Sequence, residues 1–212
     1  QKQGCISGIT TGLIDLDKKL VGLHSSDLLI IAGRPSMGKT SLATNMAFSI
    51  ANSFKSKVYE DGSRTLLNGG IVGFFSLEMS SAQLATRILS ENSKVPSDKI
   101  RKGDLSEQDF RNFIEAAQSL DQCPLYIDDT AALSISALAG RARRLKRMYG
   151  LDVLFVDYLQ LIRPSTNRDS RVNEISEITQ GLKSIAKELN IPVVALSQLS
   201  RQVEARDDKR PQ

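Results

Sequence analysis

Apolar positions along the chain follow two different periods. Leu28-Leu29-Ile30-Ile31-Ala32 is a short unbroken apolar run, the pattern of a strand covered on both faces of a parallel sheet. Ile71-Val72-Gly73-Phe74-Phe75, residues Pro124 to Ile127, Leu151 to Val156, and Val193-Val194-Ala195-Leu196 behind Pro192 read the same way. Between these runs the spacing becomes helical. Leu42, Ala43, Met46, Ala47, Ile50 and Phe54 form one stripe, and Leu84, Ile88 and Leu89 form another behind the capping residues Ser80 and Ser81. A long third stripe runs through Val172, Ile175, Ile178, Leu182, Ile185 and Leu189. Ser106 to Leu120 is a further predicted helix, with Ser106 as N-cap and Asp109 closing a shortened capping box. Ile135 to Tyr149 completes the set, with a basic outer face of Arg141, Arg144, Lys146 and Arg147 that is read first as solvated, with nucleic acid or a neighbouring subunit as the other contacts it could make.

Strands alternating with helices predict an α/β fold whose sheet is mostly parallel and flanked by helices, because parallel neighbours need crossover connections. Ligands in such sheets bind beyond the carboxyl ends of the strands. Polar residues gather at those ends here: 33–40, Glu78, Asp157 and Ser197-Gln198. Two segments break the alternation. Residues 55–69 are polar, with Asp61-Gly62 between Val58-Tyr59 and Leu66-Leu67, which predicts a small hairpin or a loop. Residues 163–171 are rich in Ser, Asn, Asp and Arg and read as an exposed loop.

Composition narrows the chemistry more than the fold. With 212 residues, 41% hydrophobic and 25% charged, the chain can bury a full core, and it has no apolar run resembling a membrane span. Gln1-Lys2-Gln3-Gly4 shows no signal-peptide pattern, and the missing initiating Met predicts a fragment or trimmed chain. Cys5 and Cys123 stand far apart without His or Cys neighbours at ligand spacing, so buried or surface thiols are expected rather than a disulfide or metal site. His24 is the single histidine, which argues against a Ser-His-Asp triad or a multi-histidine metal centre. The cytoplasm is the compartment this composition fits. A net charge of +4 permits a polyanionic partner without requiring one.

The chemistry begins at Gly33-Arg34-Pro35-Ser36-Met37-Gly38-Lys39-Thr40, which follows a predicted strand and opens a predicted helix. In such a P-loop the glycines let main-chain amides turn toward phosphates, and the helix directs its positive end at them. Gly33 to Ser41 is then the nucleotide cradle. Lys39 is expected to reach the β- and γ-phosphates, and Thr40 to offer its hydroxyl to Mg²⁺. Asp157 ends an apolar strand, where an ionised carboxylate needs compensation that the same Mg²⁺ would supply. Glu78, in Phe74-Phe75-Ser76-Leu77-Glu78-Met79, ends a strand expected beside the P-loop strand, where a carboxylate is placed to orient or deprotonate the attacking water, an effect worth roughly 10²–10⁴ in rate. Gln198 follows the last strand and is a candidate γ-phosphate sensor. Asp128-Asp129 is read as helix capping before Ser134 and solvation, not as a second metal site. Arg163, Arg168 and Arg171 form a basic loop suited to the backbone of single-stranded nucleic acid, although no aromatic residue interleaves for stacking.

Taken together, Gly33–Thr40, Phe75-Ser76-Leu77-Glu78-Met79, Asp157-Tyr158-Leu159-Gln160-Leu161 and Leu196-Ser197-Gln198-Leu199-Ser200-Arg201 closely resemble the successive motifs of bacterial DnaB-type replicative helicases. Gly8-Ile9-Thr10-Thr11-Gly12-Leu13-Ile14-Asp15-Leu16-Asp17 resembles the start of that family's RecA-like motor domain. The resemblance implies an ATP- and Mg²⁺-dependent helicase that moves 5′→3′ on single-stranded DNA as a homohexameric ring, with primase and a helicase loader as partners. It would make Lys39 and Thr40 the phosphate and Mg²⁺ contacts, Asp157 the Walker B acid, Glu78 the catalytic carboxylate and Gln198 the coupling sensor, and turn the 163–171 loop toward the ring's channel.

Two departures go with the resemblance. Residues 55–69 look like an insertion absent from many relatives, and the chain stops at Gln212 in a polar tail, 202–212, before the family's arginine finger. A RecA-like ATPase domain incomplete at its C-terminal end is therefore expected over 1–212. Because such a finger is worth roughly 10³–10⁵ in turnover, the chain alone is expected to bind nucleotide, hydrolyse it slowly and not unwind DNA. Two other readings stay open: a phage- or organellar-type helicase or RecA/RadA-like recombinase, and a nucleotide-gated assembly or switch protein.

Overall fold

The computed structural model describes residues 7–164 and 171–199. Five strands form one parallel sheet in the order β1-β7-β6-β4-β5, where β1 is Leu28–Gly33, β4 Val72–Ser76, β5 Leu125–Asp128, β6 Val153–Asp157 and β7 Val193–Gln198. From β1 the chain crosses through α2 (Lys39–Asn52) to β4 and leaves two places empty between them. It steps outward to β5 through α3 (Ser81–Ser93), the short α4 (Ser97–Lys102) and α5 (Glu107–Gln122). It then returns through α6 (Ile135–Tyr149) and α7 (Arg171–Leu189), and β6 and β7 fill the gap. The winding thus reverses at β5, and the neighbouring strands β4 and β6 lead into helices on opposite faces of the sheet, α3 and α7, which opens a crevice above the strand ends.

Each face of the sheet carries its own core. Helices α2 and α3 cover one side, where Met46, Ile50, Phe74, Leu84, Ile88 and Phe155 are buried, with Phe74 and Phe155 stacked at 5.8 Å. Helices α6 and α7 cover the other, over Phe75, Leu138, Leu154, Ile178, Leu182 and Val193. Full burial on both faces accounts for the unbroken apolar runs of β4 and β6. The same expectation fails for β1. It lies at the sheet edge, none of its residues is fully buried, and Ile30 is 42% exposed.

Helix ends follow the side chains that cap them. Ser80 and Gln83 form a capping box at α3, and Ser106 with Asp109 forms the expected one at α5. Ser134 caps α6 through the Ala137 amide. Sequence periodicity does not reveal the one- to two-turn helices α1 (Ile14–Leu20) and α4, which are too short to show a stripe. Residues 55–69 form a hairpin of β2 (Lys55–Val58) and β3 (Arg64–Asn68), turning at Gly62 with positive φ. The 202–212 tail lies outside the described residues.

Candidate active site

The loop after β1 is shaped by backbone conformation. Ser36 and Gly38 adopt left-handed dihedrals, φ 62° and 78°, and swing the chain from Gly33 into α2 at Lys39. Gly38 is the N-cap and offers no side-chain acceptor, so the first amides of a four-turn helix face the loop's concavity uncapped. Gly33 gives close approach to a side chain instead. A Cβ there would sit 3.2 Å from Cδ of Lys39, whose stem lies across the glycine while its Nζ donates to the Arg34 carbonyl at 2.6 Å. The ammonium is thereby folded back over the loop, where an anion can take it over.

Three further residues arrive from three other strands. Asp157, the last residue of β6, is 3% exposed, and its Oδ2 accepts a hydrogen bond from Thr40 Oγ1 at 2.8 Å. Burial raises its carboxyl above the ordinary 3.8, Glu78 adds to the rise, and the Thr40 hydroxyl, Lys39 and Arg87 oppose it. Glu78 is exposed, just past β4, where Ser76 Oγ donates to the Met79 carbonyl at 2.7 Å and the Leu77 amide to the Asp157 carbonyl at 2.9 Å. Gln198 ends β7. Pro35, Ser36, Lys39, Thr40, Ser41, Glu78, Asp157 and Gln198 all line one cavity of about 540 Å³. Gly33, Arg34 and Met37 face the adjoining space on the other side of Gly38 and Lys39.

One sequence expectation about this site is corrected. The strand leading to Glu78 is not beside the P-loop strand, since β7 and β6 intervene. Glu78 still reaches the cavity because the crevice spans all four strand ends. The donor set suits a hard cation: a desolvated carboxylate and a hydroxyl, with open space where phosphate oxygens would complete the shell.

Arg87, which sequence reading passes over, also lines the cavity. It lies between Leu84 and Ile88, buried residues of α3, so a cation on the apolar flank of that helix is the available signal. Gln160 is missed too. Its Nε2 donates to Ser197 Oγ at 2.9 Å and to the Gln198 carbonyl at 3.0 Å.

The remaining candidates separate from the cavity. Asp129 accepts the Ser81 amide at 2.7 Å, so it caps α3 and not the helix after Ser134, while Asp128 accepts from the Thr130 amide and pairs with Arg141 at 2.7 Å. That ion pair, with Lys146 donating to the Leu151 carbonyl at 2.8 Å, shows that the basic face of α6 is partly tied to the protein. Cys123 is half-buried, and burial pushes its thiol up to about 11. Arg163 is exposed and held by its main chain, with its amide on the Leu133 carbonyl and its carbonyl on the Ile135 amide. Arg168 lies outside the described residues, and Arg171 opens α7. Among the described residues no helix is long and apolar enough to cross a membrane.

This arrangement has counterparts among known proteins. Residues 8–212 match the family described as DnaB-like helicase C terminal domain. Over 206 residues the chain is 56% identical to replicative DNA helicase DnaB of Rickettsia typhi, a match covering 97% of this chain and 41% of that protein. It is 43% identical over 211 residues to replicative DNA helicase DnaC of Bacillus subtilis, covering 99% and 43% of the two. The chain thus spans less than half the length of these relatives. A DnaB-like replicative helicase, solved in work on its interactions with primase, superposes with a TM-score of 0.85 at 34% identity, over 99% of this chain and 48% of that one. A separately solved ATPase domain gives the same score and identity over 99% and 70%. The sheet, the loop after β1 and the residues above the strand ends agree with that relationship, and the chain belongs to the DnaB-like helicase C-terminal domain family, with its RecA-like ATPase fold.

Proposed function

We propose that this domain is the ATP-hydrolysing motor of a replicative DNA helicase. The observation that carries the reading is the convergence of Lys39, Thr40, Glu78 and Asp157 on one cavity, with Thr40 and Asp157 already in contact at 2.8 Å. Lys39 would leave the Arg34 carbonyl for the β- and γ-phosphates, while the amides at the start of α2 hold the rest of the chain of phosphates. Thr40 and Asp157 would hold Mg²⁺ between them. The metal, when bound, neutralises charge on the phosphate oxygens and compensates the buried Asp157 carboxylate. Glu78, exposed at the cavity wall, would orient and deprotonate the attacking water, and Gln198 would hydrogen-bond the γ-phosphate.

The family relationship carries the reading outward from the cavity. The intact protein would act in the cytoplasm as a homohexameric ring that moves 5′→3′ along single-stranded DNA and opens the duplex at a replication fork. Head-to-tail interfaces close such a ring only at the correct rotation. Arg163, Arg168 and Arg171 would contact the DNA backbone, and primase and a helicase loader would be its partners. The relative solved in work on interactions with primase supports the first of these.

The test uses the full-length protein containing this chain. DNA-stimulated ATP turnover and unwinding of a forked duplex are measured for the parent, Lys39→Ala and Glu78→Gln. Lys39→Ala is expected to lose nucleotide binding. Glu78→Gln is expected to bind ATP normally while turnover falls roughly 10²–10⁴-fold. Full turnover in Glu78→Gln would remove Glu78 from catalysis, and a parent that hydrolyses ATP without unwinding the fork would remove the helicase reading.

A further inference from the structure

The pairing of β6 with β7 stops early. The last partners in register are Val156 and Ala195. Strand β7 nevertheless continues to Gln198, held on its other edge by β1 as far as the Gly33–Gln198 partnership. Strand β6 has by then turned away through Tyr158 into the tight turn Leu159–Leu161. The end of β7 would be left with one open edge where it borders the nucleotide cavity, and main-chain groups at such an edge require partners.

The side chain of Gln160 supplies them. Its Oε1 accepts the Gln198 amide at 3.1 Å, and its Nε2 donates to the Gln198 carbonyl at 3.0 Å and to Ser197 Oγ at 2.9 Å. A primary amide carries an acceptor and two donors. Here it does for Gln198 what the peptide groups of a neighbouring strand would do, and it does so from the turn that directly follows Asp157. The far end of the same segment is fastened at Arg163 to the start of α6 through Leu133 and Ile135.

We propose that Gln160 is a positioning residue for ATP turnover: it acts as a substitute strand rung that fixes the main chain of Gln198 and so holds that side chain at the cavity wall. The inference rests on the reading of Gln198 as the γ-phosphate sensor. Residue chemistry limits the alternatives. Asn is one methylene too short, Glu sets a carboxylate against the Gln198 carbonyl, and Met fills the volume without replacing any hydrogen bond.

The experiment uses the full-length protein and the variants Gln160→Met, Gln160→Glu, Gln198→Ala and the Gln160→Met/Gln198→Ala double. A fluorescent ADP analogue reports binding, and ATP turnover is measured with and without an oligothymidylate. Gln160→Met is expected to bind the ADP analogue within about threefold of the parent, while its DNA-stimulated kcat falls on the order of tenfold to a hundredfold, as displacement of a positioned group does. Gln160→Glu is expected to fall at least as far despite its matched size. The double variant is expected to be no slower than the slower single, since both changes remove one function. DNA-stimulated turnover of Gln160→Met near the parent's, with Gln198→Ala impaired, would overturn the role of Gln160 alone. Losses that multiply in the double, or loss of ADP binding in both Gln160 variants, would overturn it as well. Parent-like turnover in Gln198→Ala would instead overturn the sensor reading and this inference with it.

Discussion

The hydroxyl of Thr40 donates to Oδ2 of Asp157 at 2.8 Å and so joins the first turn of the P-loop helix to the end of β6. The contact brings together residues far apart in the chain, and it rests on a carboxylate that is 3% exposed. In the ligand-free domain that carboxylate is a liability, because burial opposes its ionised form more than one hydroxyl can favour it.

Asp157→Asn should therefore separate stability from activity. The amide keeps the shape and can still pair with Thr40, while the buried charge is gone. The melting temperature of the ligand-free protein is expected to stay level or rise by about 2–4 °C, the shift that roughly 1 kcal/mol produces in a domain of this size. Mg²⁺-dependent ATP turnover should fall at least about 100-fold. The pH dependence has a definite sign. Burial first, then Glu78, raises the folded carboxyl above its unfolded value of 3.8. Its contribution to stability is fully present below 3.8 and is lost as pH rises through the folded value. On the proposed role, activity runs the other way, since only the ionised form would hold Mg²⁺. At limiting Mg²⁺, where the metal-free carboxyl is the group that titrates, the acid limb of turnover should lie above 3.8, and Arg87→Ala should move it higher still, because Arg87 is one of the groups that hold the Asp157 carboxyl down. A fall in melting temperature of several degrees in Asp157→Asn would contradict the account.

Much of this site is legible in the sequence, and the reason is local. Buried parallel strands leave apolar runs, and the residues directly after Leu28–Ala32 and Leu151–Val156 must lie at strand ends, where ligands bind. Periodicity places strands along the chain but carries no strand order. It therefore sets Glu78 next to the P-loop strand, although two strands separate them. Gln160 is invisible for a related reason: its partner is the main chain of Gln198, whose amide any residue there except proline would offer. Asp129 reads as the cap of the helix that follows it, because the Ser81 amide it accepts lies 48 positions earlier, beyond β5 and the helices α3 to α5. Arg87 alone leaves a trace, as a cation on the buried flank of an otherwise ordinary helix.

The hairpin of β2 and β3 makes a prediction independent of the nucleotide. Arg64 Nη2 donates to Asp152 Oδ1 at 2.6 Å and to the Gly150 carbonyl at 2.8 Å, with the guanidinium 5.6 Å from the centre of the Phe54 ring. Asp152 Oδ2 accepts the Ile71 amide at 2.8 Å, so one carboxylate ties the hairpin to the starts of both β4 and β6. Both partners are largely buried, at 25% and 12% side-chain exposure, so the pair should count for more than a surface ion pair. Arg64→Ala is expected to cost about 1–3 kcal/mol in urea denaturation. Arg64→Lys should recover little, because a single ammonium cannot reproduce the planar fork over Phe54. ADP binding should be unaffected in both, as the clamp lies at the opposite end of the strands from the cavity. Weakened ADP binding in Arg64→Ala would show that the hairpin communicates with the P-loop.

Gly181 sits in the middle of α7, where alanine would ordinarily stabilise a helix by about 1 kcal/mol. Here the opposite is expected. A Cβ on Gly181 would run into Cγ1 of Ile135 and come within 3.0 Å of its Cδ1. Ile135 is the first residue of α6, is 7% exposed, and donates its amide to the Arg163 carbonyl at 3.0 Å. A shift of its main chain would loosen the anchor of the segment that follows β6, and a change of its side-chain rotamer would disturb its buried packing. Gly181→Ala should therefore lose about 1–3 kcal/mol, the usual effect of overpacking. The decisive measurement is the same substitution in an Ile135→Ala background. The clash is then absent, the new methyl partly fills the space left by isoleucine, and the helix preference acts in the same direction. Gly181→Ala should change sign and stabilise that variant relative to Ile135→Ala. Destabilisation of equal size in both backgrounds would mean that Ile135 is not what holds residue 181 to glycine, and that the approach of α6 to α7 is looser than their contact here.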